Sequence, residues 1–276
     1  MVKRAYQPNE LGRSFAGGGP ATTRTLIEGV YVQLRDDVVE GRLPAGEKLR
    51  IEHLKGRYGV GSATLREAIT RLASDALVVS EGQRGFWVAP ISVTDLGDLT
   101  QMRIHIEVEA LRQSIRNADA GWSEQVRDAY RQMTAFEQPM IPSQRKQWEQ
   151  LNARFHEALV SGCRSAWALR ILRVLSRQAE RYRHLAINLP NSGRDVHAEH
   201  ALIFDAAMSG AEARAALALE MHIRATPDLI VRALREGHMV GLVGLSQPPE
   251  ASPGPLLVDD AQPASPPATG SVAPVM

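Results

Sequence analysis

Residues 49–87 read LRIEHLKGRYGVGSATLREAITRLASDALVVSEGQRGFW, and this stretch predicts two short helices, a tight turn and a β-hairpin. Apolar residues recur at helical spacing over 51–58, and Gly-Val-Gly at 59–61 interrupts that pattern. Ser62 follows as a candidate N-cap, because its hydroxyl can accept from the free backbone donors of the next turn. The second helix then presents one apolar stripe, formed by Leu65, Ala68, Ile69 and Leu72. This order of elements is typical of a helix–turn–helix that binds DNA.

The outer face of the second helix carries small, polar or basic side chains, which suits entry into a DNA major groove. The hairpin is predicted as two short strands, Val78–Ser80 and Phe86–Val88, joined by a turn with Arg84 at its tip. In a winged helix that tip reaches the minor groove. The residues expected at the DNA are Arg50, Ser62, Ala63, Thr64, Arg66, Arg71, Gln83 and Arg84.

The composition is that of a globular chain with two domains, since 276 residues contain 44% hydrophobic residues. The net charge is only +1, so specific DNA binding would rest on placed contacts and on dimerisation more than on bulk charge. A single cysteine, Cys163, excludes an intramolecular disulfide. Because no apolar run has membrane-spanning length and the N-terminus lacks a signal-peptide pattern, we expect a cytoplasmic protein.

The domain boundaries follow from shifts in composition along the chain. Residues 1–22 are predicted to be a flexible arm, 23–90 the winged helix–turn–helix and 91–94 a linker. Residues 95–237 are predicted to form a helical domain. Residues 246–276 are rich in proline and alanine and lack Lys and Arg, so we expect a disordered tail.

The second domain shows helical periodicity and no strand pattern, which predicts an all-α bundle of six or seven helices. Thr94 is the expected cap of its first helix, which runs to about Asn117. Pro227 is expected to kink or restart the last helix before it ends near Arg235. The other predicted helices cover 123–137, 143–161, 165–186, 195–209 and 211–225.

Three histidines, His156, His200 and His222, lie on the apolar stripes of three different predicted helices. Asn152 stands one helical turn before His156 and shares its face. Three imidazoles with an open coordination position can hold a metal and an exogenous group. The alternative is that each is a hydrogen-bonded core histidine, and His197, three residues before His200, is a competing ligand.

Four charged residues lie either on the inner stripe of the first bundle helix or next to these histidines in the sequence. Arg103 and Glu107 interrupt the inner stripe of the first bundle helix. Glu157 and Glu199 adjoin His156 and His200 in sequence, but their helical positions predict that they turn away from the face that carries these histidines.

The N-terminal motifs resemble the GntR family of bacterial transcription regulators over residues 25–90. The resemblance rests on GRLPAGEKL at 41–49, the YGV turn, LREA-x-x-RL and a glycine-tipped wing. It implies a winged helix that binds DNA as a twofold homodimer on a short palindrome. Two positions where the family commonly has arginine are Glu52 and Ser62 here, whereas Arg66 is retained. Ser62 cannot make a bidentate guanine contact, so the operator sequence differs from one read by arginine.

The C-terminal motifs resemble the FCD effector domain of the FadR-type branch of this family, over about residues 95–235. The matching pattern is N-x-x-FH, then EH-x-x-I-x-x-A-x-x-x-G, then Met-His in the last helix. Members often bind a divalent metal through an aspartate and three histidines, with a small carboxylate effector near it. The resemblance implies a metal site formed by Asn152, His156, His200 and His222, and an effector site formed by Arg103, Asn152 and His200.

Asn152 stands where the family has its aspartate. With an uncharged amide ligand, either the metal binds less tightly or an anionic effector supplies the missing charge. A third alternative is an effector bound without metal. The expected ion is zinc, nickel or manganese.

Together these features predict a ligand-responsive transcription regulator, a repressor of a catabolic operon, and not an enzyme. The alternative is a metal-dependent enzyme built on the His156, His200 and His222 cluster, because a metal with an open position can activate water. Neither an HExxH motif nor a nucleophile elbow accompanies the histidines in the sequence.

Overall fold

A computed structural model describes residues 23–137, 141–186, 189 and 193–237. The predicted arm at 1–22 and the predicted tail at 246–276 lie outside these described residues. Within the described part of the chain, no helix is both long enough and apolar enough to cross a membrane. The fold is mainly α, with one small antiparallel sheet, as the sequence predicts.

The N-terminal part is a winged helix–turn–helix. Three helices and two strands follow one another as α1 (Thr23–Val39), α2 (Ile51–Tyr58), α3 (Ser62–Ser74), β1 (Val78–Ser80) and β2 (Phe86–Val88). The strands pair antiparallel with Val79 opposite Trp87, and a 3-10 turn at Gly82–Arg84 closes the wing. The predicted apolar stripe of α3 is fully buried against α1. Leu34 of α1 and Leu77, which precedes β1, are also fully buried in this core.

The wing has an additional edge that the sequence analysis did not predict. Lys48 forms an antiparallel bridge with Trp87, and its ammonium lies 4.8 Å from the Trp87 ring centroid. The amide of Leu49 donates to the carbonyl of Phe86 at 2.8 Å. The segment before α2 therefore extends the two-stranded sheet and ties the wing to the helix–turn–helix.

The second part is a bundle of helices, and its first helix is interrupted. α4 (Val93–Arg103) continues through a π-helical segment (Ile104–Val108) into α5 (Glu109–Arg116). The remaining helices are α6 (Ala120–Thr134), α7 (Arg145–Val160), α8 (Ala166–Ala186), α9 (Val196–Met208) and α10 (Glu212–Arg235). Short 3-10 turns cover Pro142–Gln144 and Ser161–Cys163. If α4, the π segment and α5 count as one helix, the described bundle has six helices, as predicted.

Two local predictions were wrong, and one of the two outcomes predicted at Pro227, a restart of the helix, does not occur. The residue that caps α3 is Gly61, which makes no side-chain cap, and Ser62 is already in the first helical turn. Ser92, not Thr94, caps α4 by accepting from the amide of Asp95 at 3.0 Å, so α4 begins inside the predicted linker. α10 continues through Pro227 without a break, because tertiary packing of Ile223, Leu229 and Ile230 outweighs one lost backbone hydrogen bond.

α9 and α10 pack closely along each other and are joined by a tight turn. Gly210 adopts a φ of +70°, which favours glycine, and the amide of Ala211 donates to the carbonyl of Ala206 at 2.9 Å. This turn brings His200 and His222, one from each helix, into the same part of the bundle.

α8 connects the bundle to the winged helix. Arg177 forms an ion pair with Asp75, the residue that follows α3, and the side-chain Nε2 of Gln178 donates to the Asp75 backbone carbonyl at 3.0 Å. Arg181 donates to the carbonyl of Ala89, just after β2, at 2.5 Å. α8 thus holds both the end of the candidate recognition helix and the end of the wing.

Candidate functional site

His156 of α7, His200 of α9 and His222 of α10 meet inside the bundle. One ligand atom from each ring lies within 4.8 Å of the others, and the ring centroids are 4.7 to 5.7 Å apart. His200 is fully buried, and the other two are nearly so. The structure therefore brings together the three histidines that the sequence placed on separate helices.

Each of the three rings is held by a carboxylate at Nδ1. His156 Nδ1 lies 3.0 Å from Glu107, His200 Nδ1 lies 2.6 Å from Glu137, and His222 Nδ1 lies 2.7 Å from Glu199. An ionised carboxylate accepts, so it selects the tautomer with the proton on Nδ1 and leaves the Nε2 lone pair free. Nε2 is thus the ligand atom that each ring presents.

Two of these carboxylates are fixed in turn by arginine. Arg103 donates to Glu107 from Nε at 3.2 Å and from Nη2 at 2.8 Å. Arg194 donates to Glu199 from Nε at 2.7 Å and from Nη2 at 2.6 Å. Arg103 was predicted as an effector contact, and the structure places it behind the His156 ring as the partner of Glu107.

The third carboxylate is fixed by neutral or weakly basic donors. Glu137 accepts from the indole Nε1 of Trp148 at 3.1 Å and contacts His197 Nδ1 at 2.9 Å. His197 is the alternative metal ligand that the sequence offers in place of His200. It lies behind Glu137 and does not belong to the group formed by the three converging rings.

Glu199 has the predicted orientation within α9 but also a partner on the next helix that was not predicted. Glu199 does turn away from His200, its neighbour in α9, but it reaches across to His222 on α10. The periodicity of one helix indicates which face a residue occupies but not which residue of an adjacent helix lies opposite it. Glu157, predicted to turn away in the same manner, is exposed.

Burial and neighbouring charges shift the pKa values of several groups in the cluster. Burial lowers the pKa of His156, and burial together with the neighbouring imidazoles lowers the pKa of His222 well below its usual value. For Glu107, burial alone would raise the pKa, but Arg103 and His156 outweigh it and lower the pKa. The lowered pKa values of His156 and His222 favour their uncharged, ligand-binding form, and the carboxylate behind His156 is ionised at neutral pH.

Two buried acceptors in this cluster have no hydrogen-bond partner. They are the side-chain oxygen of Asn152 and Nε2 of His200, and their residues are 3% and 0% exposed. A buried polar atom without a partner costs roughly 1–3 kcal/mol. Because both atoms are acceptors, the group that satisfies them is a cation or a hydrogen-bond donor. The donor set of three imidazole nitrogens and one amide oxygen therefore fits a divalent transition metal.

The π-helical segment explains how one helix supplies two charged groups to this cluster. Arg103 precedes the segment, Glu107 lies within it, and both have side chains that are largely buried. π-helical turns inside α-helices are frequent at functional sites. The sequence signal was the interruption of an apolar stripe by these two residues. No comparable signal marks Glu137, Glu199 or Arg194, because their histidine partners lie on other helices.

Most of the residues predicted at the DNA lie at the surface of the winged helix. Arg50, Ala63, Arg66, Gln83 and Arg84 are exposed, and Ser62 and Thr64 are half-buried. Arg71 differs: it forms an ion pair with Glu28 at 2.7 Å and lies 4.5 Å from the Tyr31 ring centroid, so it is directed towards α1. The first turn of α3 has no side-chain cap, so its backbone amides remain available for a phosphate.

Comparisons with known proteins agree with this two-part organisation. Residues 26–88 match the family described as bacterial regulatory proteins, gntR family, and residues 98–225 match the FCD domain. The chain is 42% identical over 236 residues to the uncharacterized HTH-type transcriptional regulator BphR of Paraburkholderia xenovorans, covering 82% of this chain and 96% of BphR. It is 27% identical to the HTH-type transcriptional repressor GlaR of Escherichia coli, covering 77% of this chain and 98% of GlaR.

Solved structures with the same fold include a GntR transcriptional regulator from Rhodococcus sp. RHA1. That structure superposes with a TM-score of 0.61 at 22% identity, over 77% of this chain and 99% of the other. Escherichia coli McbR/YncC superposes with a TM-score of 0.60 at 17% identity, over 77% and 98% of the two chains. At these identities the likeness concerns the fold alone.

Proposed function

Because the chain belongs to the GntR family of bacterial transcription regulators and carries an FCD domain, we propose that it represses transcription in response to a small carboxylate bound with a divalent metal. The proposed role is that of a cytoplasmic repressor of a catabolic operon. The observation that carries the effector half is the convergence of the three imidazoles, together with the buried, unpartnered oxygen of Asn152 one helical turn before His156.

The winged helix is proposed to bind DNA as one half of a twofold homodimer. One recognition helix reads few base pairs, and two half-sites related by a dyad multiply the specificity. Arg66 lies exposed on α3 and Arg84 lies exposed on the wing turn. We assign Arg66 to the major groove and Arg84 to the minor groove or its rim.

The metal is proposed to bind to Nε2 of His156, His200 and His222, with the Asn152 oxygen as a fourth, weaker ligand. Imidazole nitrogen suits zinc and nickel, whereas manganese prefers more oxygen ligands than this site offers. The metal would supply a Lewis acid to which an effector carboxylate can bind. The carboxylates at Nδ1 hold each ring in the orientation that such a site needs.

The effector is proposed to contact Arg103, Asn152 and His200. Arg103 uses Nε and Nη2 on Glu107, and its Nη1 has no partner among the described residues. That third nitrogen can donate to an effector carboxylate without breaking the ion pair with Glu107. An effector bound there would contact α4 and α9 at once.

Communication with DNA is proposed to pass through α8. A ligand changes operator affinity only if it binds the DNA-competent and incompetent states with different affinities. α8 contacts the effector half through the ion pair of Arg183 with Glu149 on α7, and it contacts the DNA half through Glu180 with Arg35 on α1. A movement of α7 or α8 on effector binding therefore shifts contacts on both domains.

The enzyme alternative requires a general base beside the open side of the metal. Glu107, Glu137 and Glu199, the carboxylates that contact the cluster in the described part of the chain, each bind an Nδ1 atom on the outer side of a ring. They are engaged as hydrogen-bond acceptors there. The geometry therefore favours a binding site over a hydrolytic one.

A gel shift with the DNA upstream of the protein's own gene tests this proposal. The expected result is a retarded complex whose affinity changes when a small organic acid and zinc or nickel are added together. A matched reaction with the His222→Ala variant should still form the complex but should respond less to the acid. Absence of any specific complex would contradict the regulator, and a response only to neutral or cationic compounds would contradict the carboxylate effector.

A further inference from the structure

We propose that the metal and one monoanionic ligand bind this site as a pair, each increasing the affinity for the other, because Asn152 brings no charge to the metal. This inference rests on the proposed metal site. The affinity of this chain for the metal then depends on the anion that binds to the same metal ion.

The proposal follows from the charges that surround the three imidazoles. Glu107 and Glu199 are each offset by an arginine, Arg103 and Arg194 respectively. Glu137 is the third carboxylate, and no lysine or arginine within the described residues forms an ion pair with it. A metal binds only to imidazole nitrogens that carry no proton, so in the metal-bound cluster the three carboxylates and two arginines sum to one negative charge.

A divalent ion therefore leaves one positive charge uncompensated inside the bundle. His200 and Asn152 are buried, so this charge would lie in a medium that screens it poorly. An aspartate at position 152 would cancel the charge from within the protein. Asn152 does not, and a single anionic ligand on the ion brings the buried cluster to neutrality.

This charge count also determines the chemical class of the anion that binds to the metal. One monocarboxylate group on the ion neutralises the cluster, whereas two such groups on the ion would restore a buried excess charge. The co-ligand chemistry is thus one carboxylate, or another small monoanion, bound at the metal. The rest of an effector molecule is left to interact with neutral donors or with Arg103.

Thermodynamic linkage makes the proposal measurable. If the anion increases the affinity for the metal by a given factor, the metal must increase the affinity for the anion by the same factor. Cobalt(II) is a suitable probe because its visible absorption changes when a ligand joins its coordination sphere. Acetate and azide are suitable monoanions because each offers one charge and little else to the pocket.

The experiment titrates cobalt(II) into full-length protein stripped of metal, in a sulfonate buffer free of chloride, with and without saturating acetate or azide. For the wild-type chain, the cobalt Kd should fall by about tenfold or more when the anion is present, which lies within the usual range for coupled sites. The visible spectrum should change on anion addition. The anion Kd should fall by the same factor when cobalt is present.

Two variants carry the test. Asn152→Asp should bind cobalt about as tightly without anion as the wild type does with it, and the anion should change its Kd by less than about twofold. Gln150→Glu is the control, because it adds the same charge to the same helix at an exposed position. It should keep the anion dependence of the wild type.

Equal cobalt affinity with and without anion in the wild-type chain would overturn the proposal, as would an unchanged anion dependence in Asn152→Asp. Failure to bind cobalt under every condition would overturn both this inference and the proposed metal site. A specific gel-shift complex formed by the same metal-free protein would then keep the DNA-binding role and separate the two failures.

Discussion

His222 on α10 and Glu199 on α9 are joined by a contact of 2.7 Å between the imidazole Nδ1 and a carboxylate oxygen. Arg194 closes this arrangement, since it donates to Glu199 and also to the backbone carbonyl of His222 at 3.2 Å. The Arg194–Glu199–His222 series repeats the Arg103–Glu107–His156 series on the other side of the cluster. Two of the three imidazoles are therefore oriented in the same way, by a carboxylate at Nδ1 that is itself held by an arginine.

Replacing Glu199 by Gln should weaken metal binding without unfolding the bundle. The amide no longer fixes the Nδ1–H tautomer or increases the basicity of the ring, and losses of this kind are about 10–100-fold in metal affinity. Glu157→Gln is the matched control, since Glu157 also adjoins a cluster histidine in sequence but is exposed. Calorimetric titration with zinc distinguishes them, and equal affinity in both variants would contradict the role of Glu199.

Replacing Arg66 by Ala should weaken operator binding by roughly 1–3 kcal/mol if the side chain reads a base edge. Arg66 is exposed on the outer face of α3 and makes no side-chain ion pair among the described residues. Arg127→Ala, an exposed arginine on α6, is the control for net charge. Fluorescence anisotropy at fixed salt measures both. Wild-type affinity in a folded Arg66→Ala protein would exclude this docking of the recognition helix.

Replacing Asp75 by Asn should loosen the junction between the winged helix and α8. Asp75 accepts from the Tyr31 hydroxyl and from Arg177, and burial together with this hydrogen bond raises the pKa of Tyr31 to about 12. Loss of two charge-assisted bonds should cost roughly 1–3 kcal/mol in the free energy of unfolding. Urea unfolding measures this cost.

The Asp75→Asn protein should also show a smaller effector-dependent change in operator affinity, because α8 holds the end of α3 less firmly. Asp98→Asn, exposed on α4, should change neither quantity. An effector response of wild-type size in Asp75→Asn would show that coupling does not pass through this contact.

Replacing Asp37 by Asn should remove part of the acid sensitivity of the winged helix. Burial alone would raise the pKa of Asp37, but hydrogen bonds from Tyr58 and Arg42 and the charge of Arg57 outweigh it, so the pKa is lowered from 3.8. A carboxyl with a depressed folded-state pKa stabilises the fold above the unfolded-state pKa, and this contribution is lost as pH falls through the folded-state value.

The wild type should therefore be more stable than Asp37→Asn at pH 7, and the difference should shrink as pH falls below 3.8 towards the lower folded-state pKa. Urea unfolding monitored by tryptophan fluorescence at several pH values measures the difference. A gap that stays constant down to about pH 2 would show that the Asp37 charge does not contribute through its hydrogen bonds to Tyr58 and Arg42.

The periodic parts of the structure were predictable from the sequence. The apolar stripe of α3 and the strands Val78–Ser80 and Phe86–Val88 have the predicted positions, because each depends on residues close together in the chain. The three histidines could be assigned to inward faces for the same reason. The polar contacts behind them, such as Glu137 with His200, join residues far apart in sequence and depend on how the helices pack.

Helix caps and helix continuity were predicted less well than the periodic elements. Ser92 and Thr94 both offer a hydroxyl near the start of α4, and the backbone conformation that selects Ser92 has no sequence signature. Pro227 carries a strong signal for a break, yet the burial of Leu229 and Ile230 beyond it keeps α10 continuous. The π-helical segment also has no signature in the pattern of apolar residues.

That segment makes the spacing of residues along the first bundle helix as important as their identity. A π-helical turn accommodates about one residue more than an α-helical turn, and each α-helical residue advances about 100° around the axis. Removing one residue from Ile104–Val108 would restore regular α geometry and rotate α4 relative to α5 by about that angle. Leu96 and Leu99 would turn away from the apolar cluster that they share with α8. This helix should therefore tolerate many substitutions within the segment but no single-residue deletion, a length constraint that a deletion scan of the five positions would display directly.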